Sequence, residues 1–203
     1  MIAGVIFDLG GVVIDWDPMH LYRKLFGDEA EARDFLARIC TLEWNGRQDA
    51  GRPLAEATAE LVARHPQWQR EIEAYYGRWI EMIGGPVPGT GEILRELKAA
   101  GVRLFALSNW SAETFPRIAG RFEELSLFEQ VVLSGNHGCI KPQARFFAVA
   151  LEKFALPADR LVLVDDSPGN VAGAAAAGLK ALLFRDAGQL RRDLRALGLP
   201  LGA

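Results

Sequence analysis

Val5-Ile6-Phe7-Asp8-Leu9-Gly10-Gly11-Val12 decides how this chain folds: an apolar run stops at a carboxylate and passes at once into paired glycines. Residues 2–7 are apolar without strict alternation, as in a strand covered on both faces of a parallel sheet. Similar runs recur at 102–107, 130–133, 161–164 and 181–184. From residue 89 onward they alternate with helical patterns at 90–100, 112–121, 143–154, 170–177 and 187–197. That alternation predicts right-handed crossovers in a Rossmann-like, doubly wound α/β sheet. Gly101 and Gly178 stand where helix C-caps belong, just before the next strand.

Residues 18–85 break this rhythm. They carry helical patterns at 19–25, 29–39, 54–65 and 69–82 and no convincing strand. Asp28 and Pro53 start segments, Gly27 and Gly51 separate them, and 43–49 reads as a loop between two helices. Gly84-Gly85-Pro86-Val87-Pro88-Gly89 marks a hinge. The expected organisation is a core of residues 1–17 and 86–203 with an α-helical module, 18–85, inserted after the first strand.

Composition narrows the function classes. At 203 residues and half hydrophobic, the chain is long enough for one domain plus that insertion. A net charge of −3 gives no basic footprint for nucleic acid or an anionic membrane. Two cysteines, Cys40 and Cys139, make neither a disulfide framework nor a zinc cluster, and read as thiols of a reducing compartment. The first residues lack a basic n-region and reach Asp8 too soon for a signal peptide, and no run is long enough to span a bilayer. A cytoplasmic protein, monomer or homodimer, is expected.

Four polar clusters fall at or just after the carboxyl ends of four strands, the edge where open α/β sheets bind ligands. They are Asp8, Ser108-Asn109, Lys141-Pro142 and Asp165-Asp166. Taken singly each has a plainer reading. Ser108-Asn109 before Ser111 suits a helix N-cap, Asp165-Asp166-Ser167-Pro168 a helix start, and Lys141 a solvated loop. Together and in this order, they exceed what caps explain.

With these motifs, Phe7-Asp8-Leu9-Gly10-Gly11-Val12, Leu107-Ser108-Asn109, Lys141-Pro142 and Val164-Asp165-Asp166-Ser167, the chain resembles the haloacid dehalogenase superfamily over essentially its whole length. Residues 18–85 match the helical cap that one branch inserts after the first strand. The resemblance implies a hydrolase with Asp8 as nucleophile and Ser108, Asn109 and Lys141 as its catalytic partners. It implies Mg²⁺ held by Asp8, the Gly10 carbonyl, Asp165 and Asp166, with Gly11 and Trp110 at the substrate. The chemistry is coherent. A carboxylate attacks phosphorus or carbon, hydroxyl and amide donors with a lysine neutralise the reacting oxygens, and hard oxygen ligands suit Mg²⁺.

One position departs from the pattern. Phosphatases of the superfamily usually have a second aspartate two residues after the nucleophile as general acid and base, and here that residue is Gly10. Three readings stay open: a Mg²⁺-dependent phosphatase of a small phosphorylated metabolite that borrows another acid, a metal-independent 2-haloacid dehalogenase, or a catalytically weak regulatory protein. Asp165 and Asp166 favour the first, because the dehalogenases have serine where metal-binding acids would be. Asp15, Asp17, His20 and His137 are the candidate substitute acids, although Asp17-Pro18 also reads as a helix cap. In the 43–49 loop, Trp44, Asn45 and Arg47 are candidate substrate contacts. Trp68, Tyr75, Tyr76 and Trp79 read as the insertion's own core.

Overall fold

The computed structural model describes residues 2–202. Five strands form one parallel sheet: β1 (Gly4–Phe7), β4 (Arg103–Ser108), β5 (Gln130–Leu133), β6 (Leu161–Asp165) and β7 (Lys180–Leu183), in the order β5-β4-β1-β6-β7. β1 sits at the centre, paired with β4 on one side and β6 on the other. The chain winds outward from it in both directions, so the loops after β1, β4 and β6 open together at the carboxyl edge where the winding reverses. In this architecture that crevice is where ligands bind.

The unpatterned apolar strands have the expected cause. Val5 and Phe7 pack into one apolar cluster and Ile6 into another, on opposite faces of the sheet, and all three are fully buried. Helices α6 (Thr90–Ala99), α7 (Ala144–Phe154), α8 (Pro168–Ala176) and α9 (Ala187–Ala196) follow their strands in the crossover pattern. Gly101 and Gly178 both adopt positive φ just past α6 and α8, as their C-cap positions require.

Between the first and second sheet strands lie β2 (Ile14–Trp16), α1 (Met19–Leu25), α2 (Glu29–Arg38), α3 (Leu42–Asp49), α4 (Leu54–Arg64), α5 (Gln69–Gly77) and β3 (Ile83–Pro86). β2 and β3 pair antiparallel, Ile14 opposite Pro86, so the helical insertion leaves and returns through one short ribbon. The expectation of no strand within residues 18–85 is corrected here by β3, which begins at Ile83. Backbone pairing with β2 makes a strand of a Gly- and Pro-rich segment that no side-chain pattern marks. At Gly84 the absence of a side chain lets Asp15 and His20 lie against the backbone.

Three further expectations change. Residues 43–49 are not a loop but most of α3, capped by Thr41, whose hydroxyl accepts from the Trp44 N–H at 3.0 Å. Asn45 and Gly46 hide this helix from propensity, and the burial of Trp44, Asn45 and Gln48 holds it. The 112–121 helix is replaced by turns and a single 3₁₀ turn, Phe115–Arg117, in which Pro116 has no N–H to continue an α-helical ladder. Glu113 accepts from the Leu54 N–H at 3.0 Å and Arg117 donates to the Tyr76 carbonyl at 2.7 Å. The 69–82 pattern breaks after Gly77 into α5 and a 3₁₀ turn, Trp79–Met82.

Stacked and edge-on aromatics form the inside of the insertion: Tyr22 against Phe35 at 5.2 Å, Trp44 against Tyr75 at 5.1 Å and Trp68 against Phe35 at 5.5 Å. Cys40 and Cys139 are buried and unpaired. Among the described residues, no helix is long and apolar enough to cross a membrane.

Candidate active site

Asp8 follows the central strand and is nearly covered. Its Oδ1 accepts from the Leu9 N–H at 2.6 Å and from the Ser108 hydroxyl at 2.8 Å, and its Oδ2 meets the Lys141 ammonium at 2.9 Å. Lys141 is buried and reaches Asp165 Oδ2 at 2.6 Å as well. Asp165 Oδ1 takes the Ser167 N–H and the Asn170 amide, both at 2.9 Å. The first, second and fourth motifs meet here because β1, β4 and β6 are neighbours.

Asn109 acts on Lys141 through the backbone: its amide donates to the Lys141 carbonyl at 3.0 Å and its Oδ1 accepts the Lys141 N–H at 2.7 Å. That reciprocal pair fixes the loop from which the ammonium enters the cluster. The Trp110 N–H is taken by the Ser134 hydroxyl at 2.9 Å, and its indole N–H is buried without a partner among the described residues. Ser134 carried no signal of its own in the sequence. It follows β5 and ties the loop after β4 to the insertion.

Charge is unbalanced in the cluster. One oxygen from each of Asp8, Asp165 and Asp166 lies within 4.8 Å of the others, and Lys141 is the cation among them. Burial pushes the Asp8 carboxyl up to about 7; Lys141 opposes the rise and the Asp165 charge adds to it. Lys141 is pulled down by burial, but the two carboxylates outweigh that and hold its proton more firmly. Asp166 is raised by burial and by Asp165. Three converging carboxylates fit a hard divalent cation, which would relieve their repulsion.

The glycines after the nucleophile make room. Gly11 has φ +75°, and a Cβ there would run into the Asp166 carboxylate. At Gly10, two residues after Asp8, a Cβ would come no closer than 3.9 Å to Trp110 and Trp16, leaving open space there.

That space is a small cavity of about 50 Å³ between core and insertion. The core contributes Gly10, Asn109, Trp110 and Thr114, the ribbon Trp16, and the insertion Asn45, Asp49, Tyr76 and Trp79. Tyr76 and Trp79, read from sequence as internal packing, therefore also face the site; the Trp79 and Trp110 rings meet edge-on at 5.7 Å. Of the expected insertion contacts, Asn45 is brought to the cavity. Trp44 turns into the aromatic interior, and Arg47 is exposed and paired with Glu43 at 3.1 Å.

The residue that the sequence reading passed over is Asp49, at the end of α3. Its Oδ1 accepts the Ser111 N–H at 3.1 Å, its Oδ2 the Asn45 amide at 2.7 Å, and its carbonyl the Ser134 hydroxyl. Burial pushes its carboxyl up to about 8, with the Asp8 charge adding to the rise and the Ser111 N–H opposing it. The candidate substitute acids lie elsewhere. Asp15 and His20 pair with each other at 2.8 Å on the insertion's stalk, Asp17 caps α1 through the Met19 N–H, and the His137 ring packs near Phe146.

A family model described as a haloacid dehalogenase-like hydrolase matches residues 2–178. The chain is 23% identical over 197 residues to a drimenol cyclase of Aspergillus calidoustus, covering 96% of this chain and 36% of that much longer protein. It is 26% identical to a sesquiterpene phosphatase of Aspergillus oryzae, covering 95% and 94% of the two chains. It is 30% identical to a phosphoglycolate phosphatase of Caulobacter vibrioides, covering 89% and 78%. Among solved structures, a haloacid-dehalogenase-family enzyme of Bacteroides thetaiotaomicron in complex with magnesium and inorganic phosphate superposes with a TM-score of 0.69 at 20% identity, over 92% and 96% of the chains. The L-2-haloacid dehalogenase of Xanthobacter autotrophicus with chloropropionic acid covalently bound does so at 0.64 and 15% identity, over 99% and 85%. The chain belongs to the haloacid dehalogenase-like hydrolases.

Proposed function

We propose that this hydrolase is a Mg²⁺-dependent phosphatase of a small phosphorylated metabolite, acting through an aspartyl-phosphate on Asp8. The observation that carries the reading is the convergence of Asp8, Asp165 and Asp166 beside a single lysine. Without a divalent cation those carboxylates would repel a phosphate dianion. Asp8, Asp165, Asp166 and the Gly10 carbonyl would hold Mg²⁺, which when bound supplies charge neutralisation for the phosphoryl oxygens.

The chain's own residues do the rest. Ser108 and the Leu9 N–H hold Asp8 in one orientation, so little reorganisation precedes attack. Lys141 opposes the rise that burial imposes on the Asp8 carboxyl and adds positive charge where phosphoryl oxygens gather. Asn109 positions that lysine. The segment 18–85 acts as a cap over the core of 1–17 and 86–203, excluding water during attack and readmitting it for hydrolysis. A cavity of about 50 Å³ admits only a small group while the cap is docked, so larger substrates require it to move.

A second reading, a metal-independent 2-haloacid dehalogenase, draws on Gly10 and the tryptophan walls Trp16, Trp79 and Trp110. A halide needs no proton to leave. Asp165 and Asp166 weigh against it. A phosphorylated-metabolite panel separates the two. Phosphate release that requires Mg²⁺ and vanishes in Asp8→Asn supports the phosphatase; halide release from 2-chloropropionate in EDTA supports the dehalogenase.

A further inference from the structure

The two walls of the cavity differ in what they can give to a reaction. On the core side Gly10 has no side chain, and the Asn109 amide is committed to Lys141. The Lys141 ammonium is itself committed to two carboxylates. The alcohol of an ordinary phosphate ester leaves as an alkoxide unless a proton arrives while the P–O bond breaks. Tyr76 on the insertion side keeps its proton, because burial drives its phenol far up, and donates it to Asn45 Oδ1 at 2.9 Å. Asp49 is the carboxyl on that wall.

We propose that Asp49 is the general acid and then the general base of the reaction, acting from the insertion wall of the cavity that Gly10, two residues after Asp8, leaves open. This rests on the phosphatase reading above. Donors on both oxygens, the Ser111 N–H and the Asn45 amide, hold the carboxyl in place, and each oxygen keeps a lone pair for a proton. The titratable groups around it are Asp8 after β1 and Tyr75 and Tyr76 on α5. Burial and the Asp8 charge keep Asp49 neutral near pH 7, as an acid must be.

In the first step an Asp8 carboxylate oxygen bonds to phosphorus and the ester P–O bond breaks. The leaving oxygen takes the Asp49 proton and departs as the alcohol, leaving Asp49 ionised. In the second step water attacks the phosphorus of the aspartyl-phosphate and gives one proton to Asp49. The Asp8 O–P bond breaks, releasing inorganic phosphate and restoring both carboxyls.

The test uses Asp49→Asn with two esters, 4-nitrophenyl phosphate, whose leaving group needs no proton, and a simple alkyl phosphate. Under single-turnover conditions with Mg²⁺, nitrophenol release should stay within about threefold of wild type, while alcohol release falls by about 10²-fold or more. Phosphorylated Asp8 should accumulate in the variant, because the second step lacks its base. Adding Gly10→Asp to Asp49→Asn should restore part of the alkyl rate. Equal losses on both esters would make Asp49 a strut that docks the insertion and overturn the proposal, as would unchanged rates. A carboxyl infrared band at pH 7 that Asp49→Asn removes is the readout independent of turnover; its absence also overturns the proposal. Failure of wild type to release phosphate from either ester would count against the phosphatase reading itself, a different result from any of these.

Discussion

The core edge and the insertion face meet over the same small cavity, yet they are built on opposite principles. At the core edge, charge is packed densely and tied down: Asp8, Lys141 and Asp165 are linked by ion pairs of 2.6 and 2.9 Å. On the insertion face, aromatic walls surround one isolated carboxyl, Asp49, held by neutral donors. At Asp8 the paired lysine works against burial and favours the ionised, nucleophilic form. An isolated carboxyl in an apolar wall keeps its proton and suits an acid. The contrast teaches that the proposed chemistry draws on two parts of the fold, which meet across one cavity.

The largest effect should come from the core. Asp8→Asn is expected to lower phosphate release on the order of 10⁴–10⁶-fold with the circular dichroism spectrum unchanged, as removing a nucleophile does. Lys141→Met should act on both activity and stability. It leaves Asp8 and Asp165 buried without their cation, and chemical denaturation should show a loss of about 3–5 kcal/mol. Gly11→Ala forces a left-handed backbone on a Cβ that meets Asp166, for roughly 1–2 kcal/mol. Calorimetric titration should find weaker Mg²⁺ binding in that variant.

On the insertion side the sign of a pH effect sharpens the comparison. Asp49 has a folded pKa raised from 3.8 to about 8, so the stability it contributes is full below the unfolded value and lost as pH rises through about 8. Melting temperatures of Asp49→Asn against wild type should diverge across that window, with the variant relatively more stable at the alkaline end. The smallest effect belongs to Arg47→Ala on the outer surface of α3, where turnover and melting temperature should both stay as in wild type. A large loss there would mean that the insertion presents a different face to the substrate.

Legibility followed the same divide. The core edge was readable because buried parallel strands write themselves as short apolar runs, and the polar residues that end them stand out. Asp8, Ser108 and Asp165 could be found by position alone, and Lys141 by its place in the series. The insertion was not readable in this way. α3 carries Asn45 and Gly46 at its middle and declares itself only through the Thr41 cap and the burial of Trp44 and Gln48. Asp49 lies in a segment whose sequence reads as a loop, with Trp44, Asn45 and Arg47 as its candidate recognition residues. On a helix, Trp44 and Arg47 turn away from the cavity, and Asn45 and Asp49 face it, one turn apart. The Thr41 cap and the i, i+4 spacing of Asn45 and Asp49 were the signals available. The 112–121 segment shows the opposite: its pattern suits a helix, but Pro116 limits it to a 3₁₀ turn while Glu113 and Arg117 reach the insertion.

The central claim is that Asp8 carries the phosphoryl group. Wild-type protein mixed with a turned-over phosphate ester and Mg²⁺, quenched in acid and digested, should yield the peptide containing Asp8 with the added mass of one phosphoryl group. The species should be absent in EDTA and in Asp8→Asn. Phosphate release without that peptide, or release by Asp8→Asn at the wild-type rate, would contradict the account.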